Sequence, residues 1–86
     1  MSIKIKKDVK LYISSHSNYP VDKLMDDMEL KKQPLKFDNS SLLYLTLSLR
    51  GYIKSKKKNS RLYVEEVRKS KLTVGDLTKL IIKRLK

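Results

Sequence analysis

Apolar residues recur at the spacing of an α-helix in three segments of this chain of 86 residues, and this periodicity is the strongest constraint on its fold. The segments are 4–16, 20–29 and 73–86, and the first two place charged residues on the face opposite the apolar stripe. Thr73 and Asp76 form a capping-box pattern at the start of the last segment. We therefore expect helices over these three ranges.

The leucine-rich segment SSLLYLTLSLR, residues 40–50, is ambiguous, because its alternation over residues 43–49 would also suit a strand. Residues 38–40 before it are all good N-cap residues. Gly51 follows the segment where a left-handed glycine often ends a helix. We therefore predict a third helix over 40–50.

Residues 52–67 differ from the segments before them, because β-formers alternate in two stretches that flank a run of lysines. Asn59 and Ser60 are turn residues near the middle. The sequence therefore predicts a β-hairpin over 52–67, and a fold class that is mainly α with a small β-hairpin, in one domain of residues 1–86. Five cations would lie on the tip and outer face of the hairpin: Lys54, Lys56, Lys57, Lys58 and Arg61.

The balance of charge points to a polyanionic partner. The chain has 21 Lys and Arg against 9 Asp and Glu, which gives a formal net charge of +12 and a pI of about 10.0. Self-repulsion destabilises so small a domain, and an excess of this size usually serves nucleic-acid binding. A heavily solvated lysine-rich surface is the alternative, which evenly spread lysines would favour and clustered lysines would oppose.

Residue types that form common catalytic and metal sites are scarce. The chain has no cysteine, and its one histidine, His16, has no nucleophile or metal ligand at a suitable spacing. Two glycines are too few for a glycine-rich phosphate loop. The carboxylates of residues 20–29 fit a solvated helix face better than a metal site. We expect no enzymatic activity, no metal and no cofactor.

The N-terminal region, MSIKIKKDVK, is charged from residue 4 onward and has no apolar signal region. No stretch reaches the ~18 consecutive apolar residues of a membrane span. We therefore expect a cytoplasmic protein, or one of the host-cell cytoplasm for a viral protein, with no membrane partner.

The run SSLLYLTLSLRGYIKSKKKNSRLYVEE, residues 40–66, resembles the third helix and wing of winged helix-turn-helix DNA-binding domains. The features that carry the resemblance are leucines four and eight residues before a glycine, then Gly-aromatic-Ile, a basic strand and Arg-x-aromatic. The resemblance spans about residues 4–67. It implies that the third helix enters the major groove of DNA and that the wing lies over phosphates.

This resemblance implies a double-stranded DNA-binding protein, either a small transcription regulator or an architectural protein. RNA is an alternative partner, because the same cations would serve it. Base reading is expected to be weak, since Arg50 is the one good base-reading side chain of the helix and lies at its end. The residues expected to bind nucleic acid are Ser40, Ser41, Tyr44 and Arg50 on the helix, and Lys54, Lys56, Lys57, Lys58 and Arg61 on the wing.

A weaker resemblance is to acyl carrier proteins. LKFDN, residues 35–39, is similar to the family's Leu-Gly-x-Asp-Ser before its second helix, and LTVGDLTKLI, residues 72–81, is similar to its last helix. The resemblance implies a carrier with a degenerate attachment site, because Asn39 falls where the family has its phosphopantetheine serine. Ser40 and Ser41 would be shifted substitutes. The basic charge departs from the acidic character of that family and leaves a protein-interaction module as a further alternative.

The last helix carries more apolar residues than a surface helix requires, and this surplus would either pack on the first helix or form the seam of an expected homodimer. The dimer would form through the leucine-rich helix or through the C-terminal helix. The C-terminal residues concerned are Leu77, Leu80, Ile81 and Leu85.

Overall fold

Four α-helices and one short 3₁₀ turn make up the regular structure of residues 2–86, the part of the chain that the computed structural model describes. Within this part an isolated antiparallel bridge joins Glu29 to Thr73, and there is no β-strand or sheet. The elements are α1 (Ser2–Ser17), a 3₁₀ turn (Val21–Lys23), α2 (Asn39–Lys56), α3 (Val64–Val67) and α4 (Val74–Arg84).

The predicted fold class is wrong in one respect, because residues 52–67 form no β-hairpin and therefore no wing. α2 continues through Gly51 to Lys56, and Gly51 has helical rather than left-handed dihedral angles. Continued burial explains the longer helix. Leu49 and Ile53 lie four residues apart on the same face of α2, and both are fully buried. The apolar stripe that the leucine-rich segment begins thus extends beyond the glycine.

The helix predicted over 20–29 is also wrong, since this segment contains only the 3₁₀ turn. The backbone hydrogen bonds within the segment close only short turns, such as that from the N–H of Met28 to the carbonyl oxygen of Met25, and its other backbone groups bond to the start of α4. The carbonyl oxygen of Asp26 accepts a hydrogen bond from the N–H of Gly75 at 2.8 Å, and that of Met28 accepts from Val74 at 2.9 Å. The N–H of Leu30 likewise donates to the carbonyl oxygen of Leu72 at 2.9 Å, so the segment is held against the start of α4 and the residues before it.

One hydrophobic core runs between α1, α2 and α4. α1 lies antiparallel to α2, because Asp8 and His16 of α1 contact Tyr52 and Ser48 of α2 respectively. Loop residues close the core between the helices. The buried apolar residues are Val9, Ile13, Leu24, Leu30, Leu35, Phe37, Leu42, Leu45, Leu49, Ile53, Leu62, Val67, Val74, Leu77 and Ile81.

Side-chain caps fix where α2 and α4 begin. Asp38 accepts a hydrogen bond from the N–H of Ser41 at 2.8 Å, and the Ser41 hydroxyl bonds back to the N–H of Asp38. The capping box expected at Thr73 and Asp76 is present at the start of α4. Such caps satisfy N–H groups that have no partner within the helix.

No helix within residues 2–86 combines the length and the apolar character needed to cross a membrane.

Candidate nucleic-acid interface

The C-terminal ends of α2 and α4 meet at one end of the molecule. Lys57, which follows α2, donates a hydrogen bond from Nζ to the carbonyl oxygen of Lys86. The hydroxyl of Ser60 donates to the carbonyl oxygen of Arg84, and Nε of Arg84 donates to that of Arg61 at 3.1 Å. These bonds bring the basic residues of both helix ends into one cluster.

We call this cluster the basic pole. Arg84 is half-buried and pairs with Glu66, whereas the other seven side chains are exposed. Its members are Lys54, Lys56, Lys57, Lys58, Arg61, Lys83, Arg84 and Lys86.

Helix dipoles explain part of this charge. The unsatisfied carbonyl groups at the C-terminal ends of α2 and α4 carry partial negative charge, which favours cations in the last turn. Lys54, Lys56 and Lys83 lie in such turns. Lys58 and Arg61 lie beyond α2, where the dipole effect has fallen off. The helix dipoles therefore do not explain why these two cations lie at this end of the molecule.

The segment that carries these loop cations, residues 57–63, is anchored at several points. Leu62 is fully buried, and its carbonyl oxygen accepts a hydrogen bond from Nε of Arg50 at 2.6 Å. Ser60 is held to the end of α4. The segment therefore presents its cations from a fixed backbone, although no strand pairing supports it.

The five cations predicted for the wing all lie in the basic pole. The structure adds Lys83, Arg84 and Lys86 from the end of α4, which sequence reasoning missed. A signal was available for Lys83 and Arg84, since basic residues in the last turn of a helix mark its C-terminal end. What the sequence did not show was that two helices end at the same place.

The residues predicted to contact DNA from the third helix do not join the basic pole. Ser40 and Ser41 lie in the first turn of α2, about 24 Å along the helix from Lys56. Ser41 belongs to the N-terminal cap. Tyr44 is exposed near this first turn, and Arg50 holds the Leu62 carbonyl group.

A groove of about 450 Å³ lies between α1 and α2 beside the basic pole, with Lys4 and Lys56 among its lining residues. The rings of Tyr12 and Tyr52 meet edge to face there, with 5.6 Å between their centroids. Nζ of Lys56 lies 5.2 Å from the centroid of the Tyr52 ring. Tyr52 donates a hydrogen bond to Asp8 at 2.7 Å. Burial, with this bond and the Asp8 charge, raises the pKa of Tyr52, so its hydroxyl stays protonated well above neutral pH.

The histidine and some of the carboxylates make structural contacts. Nε2 of His16 lies 2.9 Å from Oγ of Ser48, which links α1 to α2. Asp26 pairs with Lys6 at 2.8 Å and with Lys10 at 3.4 Å, and the hydrogen bond from Lys6 is the main reason that its pKa is lowered. Among residues 2–86 no three His, Asp or Glu side chains are grouped to hold a metal ion.

The segment 35–39 has a distinctive backbone path. Lys36 is in the left-handed region with φ of 53°, and Asp38 caps α2, so that Asn39 is the first residue of the helix. Ser40 is exposed beside it. The hydroxyl of Ser41 bonds to Asp38 within the cap. Ser40 is therefore the more accessible of the two hydroxyl groups.

No family model matches the chain, and no curated protein or solved structure is significantly similar to it.

Proposed function

We propose that the protein binds nucleic acid through the phosphate backbone, with the basic pole as its contact surface. The observation that carries this proposal is the clustering of seven exposed cations at the joined ends of α2 and α4. Clustered rather than evenly spread cations favour a polyanionic partner over a merely solvated surface.

Double-stranded DNA is the partner we propose first. The molecule measures 33 × 25 × 19 Å. An end whose sides are the two shorter dimensions spans about six or seven base pairs of DNA at 3.4 Å each. The lysines act as flexible point charges, whereas Arg61 can form two parallel hydrogen bonds with one phosphate. Such contacts give affinity and position without reading bases. Binding that depends little on sequence suits an architectural protein.

Release of counterions from DNA makes the expected salt dependence steep. Each neutralised phosphate contributes about −0.9 to the slope of log affinity against log salt concentration. Contacts from Lys54, Lys56, Lys57, Lys58 and Arg61 would give a slope of roughly −4 to −5.

The test is a fluorescence-anisotropy titration of a labelled duplex at several salt concentrations. The variant Lys56→Glu/Lys57→Glu/Lys58→Glu should lose most of the affinity and several units of the slope. The matched control is Lys23→Glu/Lys32→Glu/Lys69→Glu, which makes the same change of net charge on exposed lysines outside the basic pole. The control should keep most of the slope.

Two results would refute the proposal: absence of binding by the wild type at low salt, or equal losses in the two triple variants. A single-stranded RNA of the same length, titrated in parallel, decides between the two polymers. Tighter binding of that RNA would replace DNA with RNA as the partner.

A carrier-like interaction module is the second candidate, favoured by the path of residues 35–39. Lys36 has its left-handed conformation where the acyl carrier motif has glycine, and Asn39 begins α2 where that motif has serine. Asn39 offers no hydroxyl for a phosphopantetheine arm. Intact-mass measurement after incubation with a phosphopantetheinyl transferase and coenzyme A tests this candidate. A pantetheine increment that disappears in Ser40→Ala would support a carrier, and an unchanged mass would exclude one.

A further inference from the structure

The groove between α1 and α2 has a cationic end beside the basic pole. The two helices are antiparallel and Asp8 contacts Tyr52. Lys4 lies one turn before Asp8 on α1, and it lines the groove. Lys56 lies one turn after Tyr52 on α2 and also lines it. Both lysines therefore stand at the same end of the groove, and Lys56 belongs to the basic pole as well.

The other end of the groove is aromatic and apolar. The rings of Tyr12 and Tyr52 meet edge to face, and both residues are half-buried against the core. Leu11, which is 55% exposed, lines the groove next to them. Rings that the core holds in place form the kind of surface on which a nucleobase stacks, because every base has a flat π-face.

The charges of the groove divide it in the same way. No carboxylate among residues 2–86 lies within ion-pair distance of Lys4 or Lys56, so both ammonium groups can meet an anion. Asp8 accepts the hydroxyl hydrogen of Tyr52, which places a negative charge beside the rings. That charge repels a phosphate from the aromatic end. A carboxylate oxygen there suits the N–H groups on the edge of a base.

We propose that this groove holds one unpaired nucleotide, with its base on the tyrosine rings and its phosphate between Lys4 and Lys56. The proposal rests on the proposed function, because the nucleotide would belong to a strand that the basic pole already holds. A base inside a duplex is stacked and paired, so only an unpaired base can enter such a groove. The protein would then favour a duplex that carries a single-stranded overhang.

The size of the groove agrees with this occupant. Its volume of about 450 Å³ lies within the range of roughly 300–1,000 Å³ that ligand sites occupy. Along α1, Tyr12 lies about 12 Å from Lys4. A nucleotide places a sugar between its phosphate and its base, and the long lysine side chain spans part of the same distance.

The test compares three labelled DNA duplexes by fluorescence anisotropy: a blunt duplex, the same duplex with a short overhang, and one whose overhang is abasic. The overhang should tighten binding by about fivefold or more, which is the effect of stacking one base on an aromatic side chain. The abasic overhang carries the same phosphates and should lose most of this gain. The blunt duplex measures the basic pole alone.

Substitutions at the two ends of the groove should change the ratio of overhang to blunt affinity. Tyr12→Leu should bring the ratio close to one, whereas Tyr12→Phe keeps a ring and should keep the ratio. Lys4→Gln should lower the ratio and flatten the salt slope of the overhang duplex by about 0.7, the value for one phosphate of a single strand. Lys7→Gln, at another exposed lysine of α1, is the matched control and should leave both unchanged.

Tyrosine ring signals of the wild type give a measurement that needs no stable variant. In a carbon–proton NMR spectrum the signals of Tyr12 and Tyr52 should move upfield with the overhang duplex and stay in place with the abasic one. Equal affinity for blunt and overhang duplexes would overturn this proposal, leave the basic pole as a binding surface and assign the groove to another occupant. An abasic overhang that binds as tightly, or a Tyr12→Leu ratio equal to that of the wild type, would also overturn it. Failure to bind any duplex at low salt would overturn the proposed function together with this inference.

Discussion

At the scale of single residues, the two glycines of the chain have opposite surroundings. Gly51 lies in mid-helix with open space where a Cβ would stand, whereas a Cβ at Gly75 would lie 3.1 Å from the carbonyl oxygen of Asp26. Alanine is more favourable than glycine in a helix interior by about 1 kcal/mol. The gain can appear only where the added methyl group has room.

We therefore expect Gly51→Ala to raise the free energy of unfolding by roughly 0.5–1 kcal/mol. Gly75→Ala should show no such gain, because its methyl group presses on the backbone that joins residues 20–29 to α4. Urea denaturation of each variant beside the wild type measures both changes. Equal stabilisation by both substitutions would contradict the packing described around Gly75.

Tyr52 gives a prediction at alkaline pH. Burial, then the hydrogen bond to Asp8 and its charge, raises the pKa of Tyr52 above its ordinary value of about 10. The unfolded chain loses this proton near pH 10 and the folded chain does not. The stability from the protonated hydroxyl is thus complete below about pH 10 and is lost as the pH rises above it.

Tyr52→Phe should accordingly be less stable than the wild type at neutral pH, by about 1–2 kcal/mol for the lost hydrogen bond. The difference should shrink above pH 10, because the variant has no hydroxyl to ionise. Denaturation curves at several pH values from neutral to alkaline measure it. Tyr44→Phe, on an exposed ring, serves as the control and should leave the stability unchanged. A Tyr52 difference that stays constant with pH would contradict the assignment.

At the scale of elements, local sequence signals identified three helices. They failed where contacts with distant parts of the chain decide the structure. The helix starts at residues 38–40 and at Thr73 were readable because side-chain caps are local interactions. The extension of α2 past Gly51 depends on burial of Ile53 by other helices, which no local pattern contains. Residues 20–29 show helical spacing, yet their backbone bonds to α4.

The candidate site was likewise predictable where its residues are neighbours in sequence, and not where the fold brings them together. The lysine run could be identified from the sequence, because its members are neighbours along the chain. The contribution of Lys83 and Lys86 could not, since it follows from α2 and α4 ending side by side. The β-hairpin predicted over residues 52–67 is wrong because short alternating stretches in a helix end and in the loop after it resemble two β-strands.

Asp26 gives an element-scale prediction, because it joins α1 to the segment that meets α4. Its pKa is lowered, chiefly by the hydrogen bond from Lys6. A lowered pKa in the folded state means that the stability is complete above about pH 3.9 and is lost as the pH falls below that value. Asp26→Asn should therefore reduce the loss of stability in acid, relative to the wild type. Acid titration followed by circular dichroism measures this, and identical acid transitions would contradict the Lys6 contact.

At the scale of the whole molecule, positive charge is concentrated at one end. Hydrogen bonds to backbone carbonyl groups hold the charged segments together there. The pole consists of helix ends and an anchored loop.

A two-dimensional amide NMR titration of the labelled protein with a short DNA duplex tests most directly whether the basic pole binds nucleic acid. If the basic pole binds the duplex, the signals of residues 54–61 and 83–86 move together as the duplex is added. The signals of residues 20–36 should stay in place, and added salt should reverse the shifts. Shifts confined to residues 20–36, or none at low salt, would contradict the assignment of the basic pole as the binding surface.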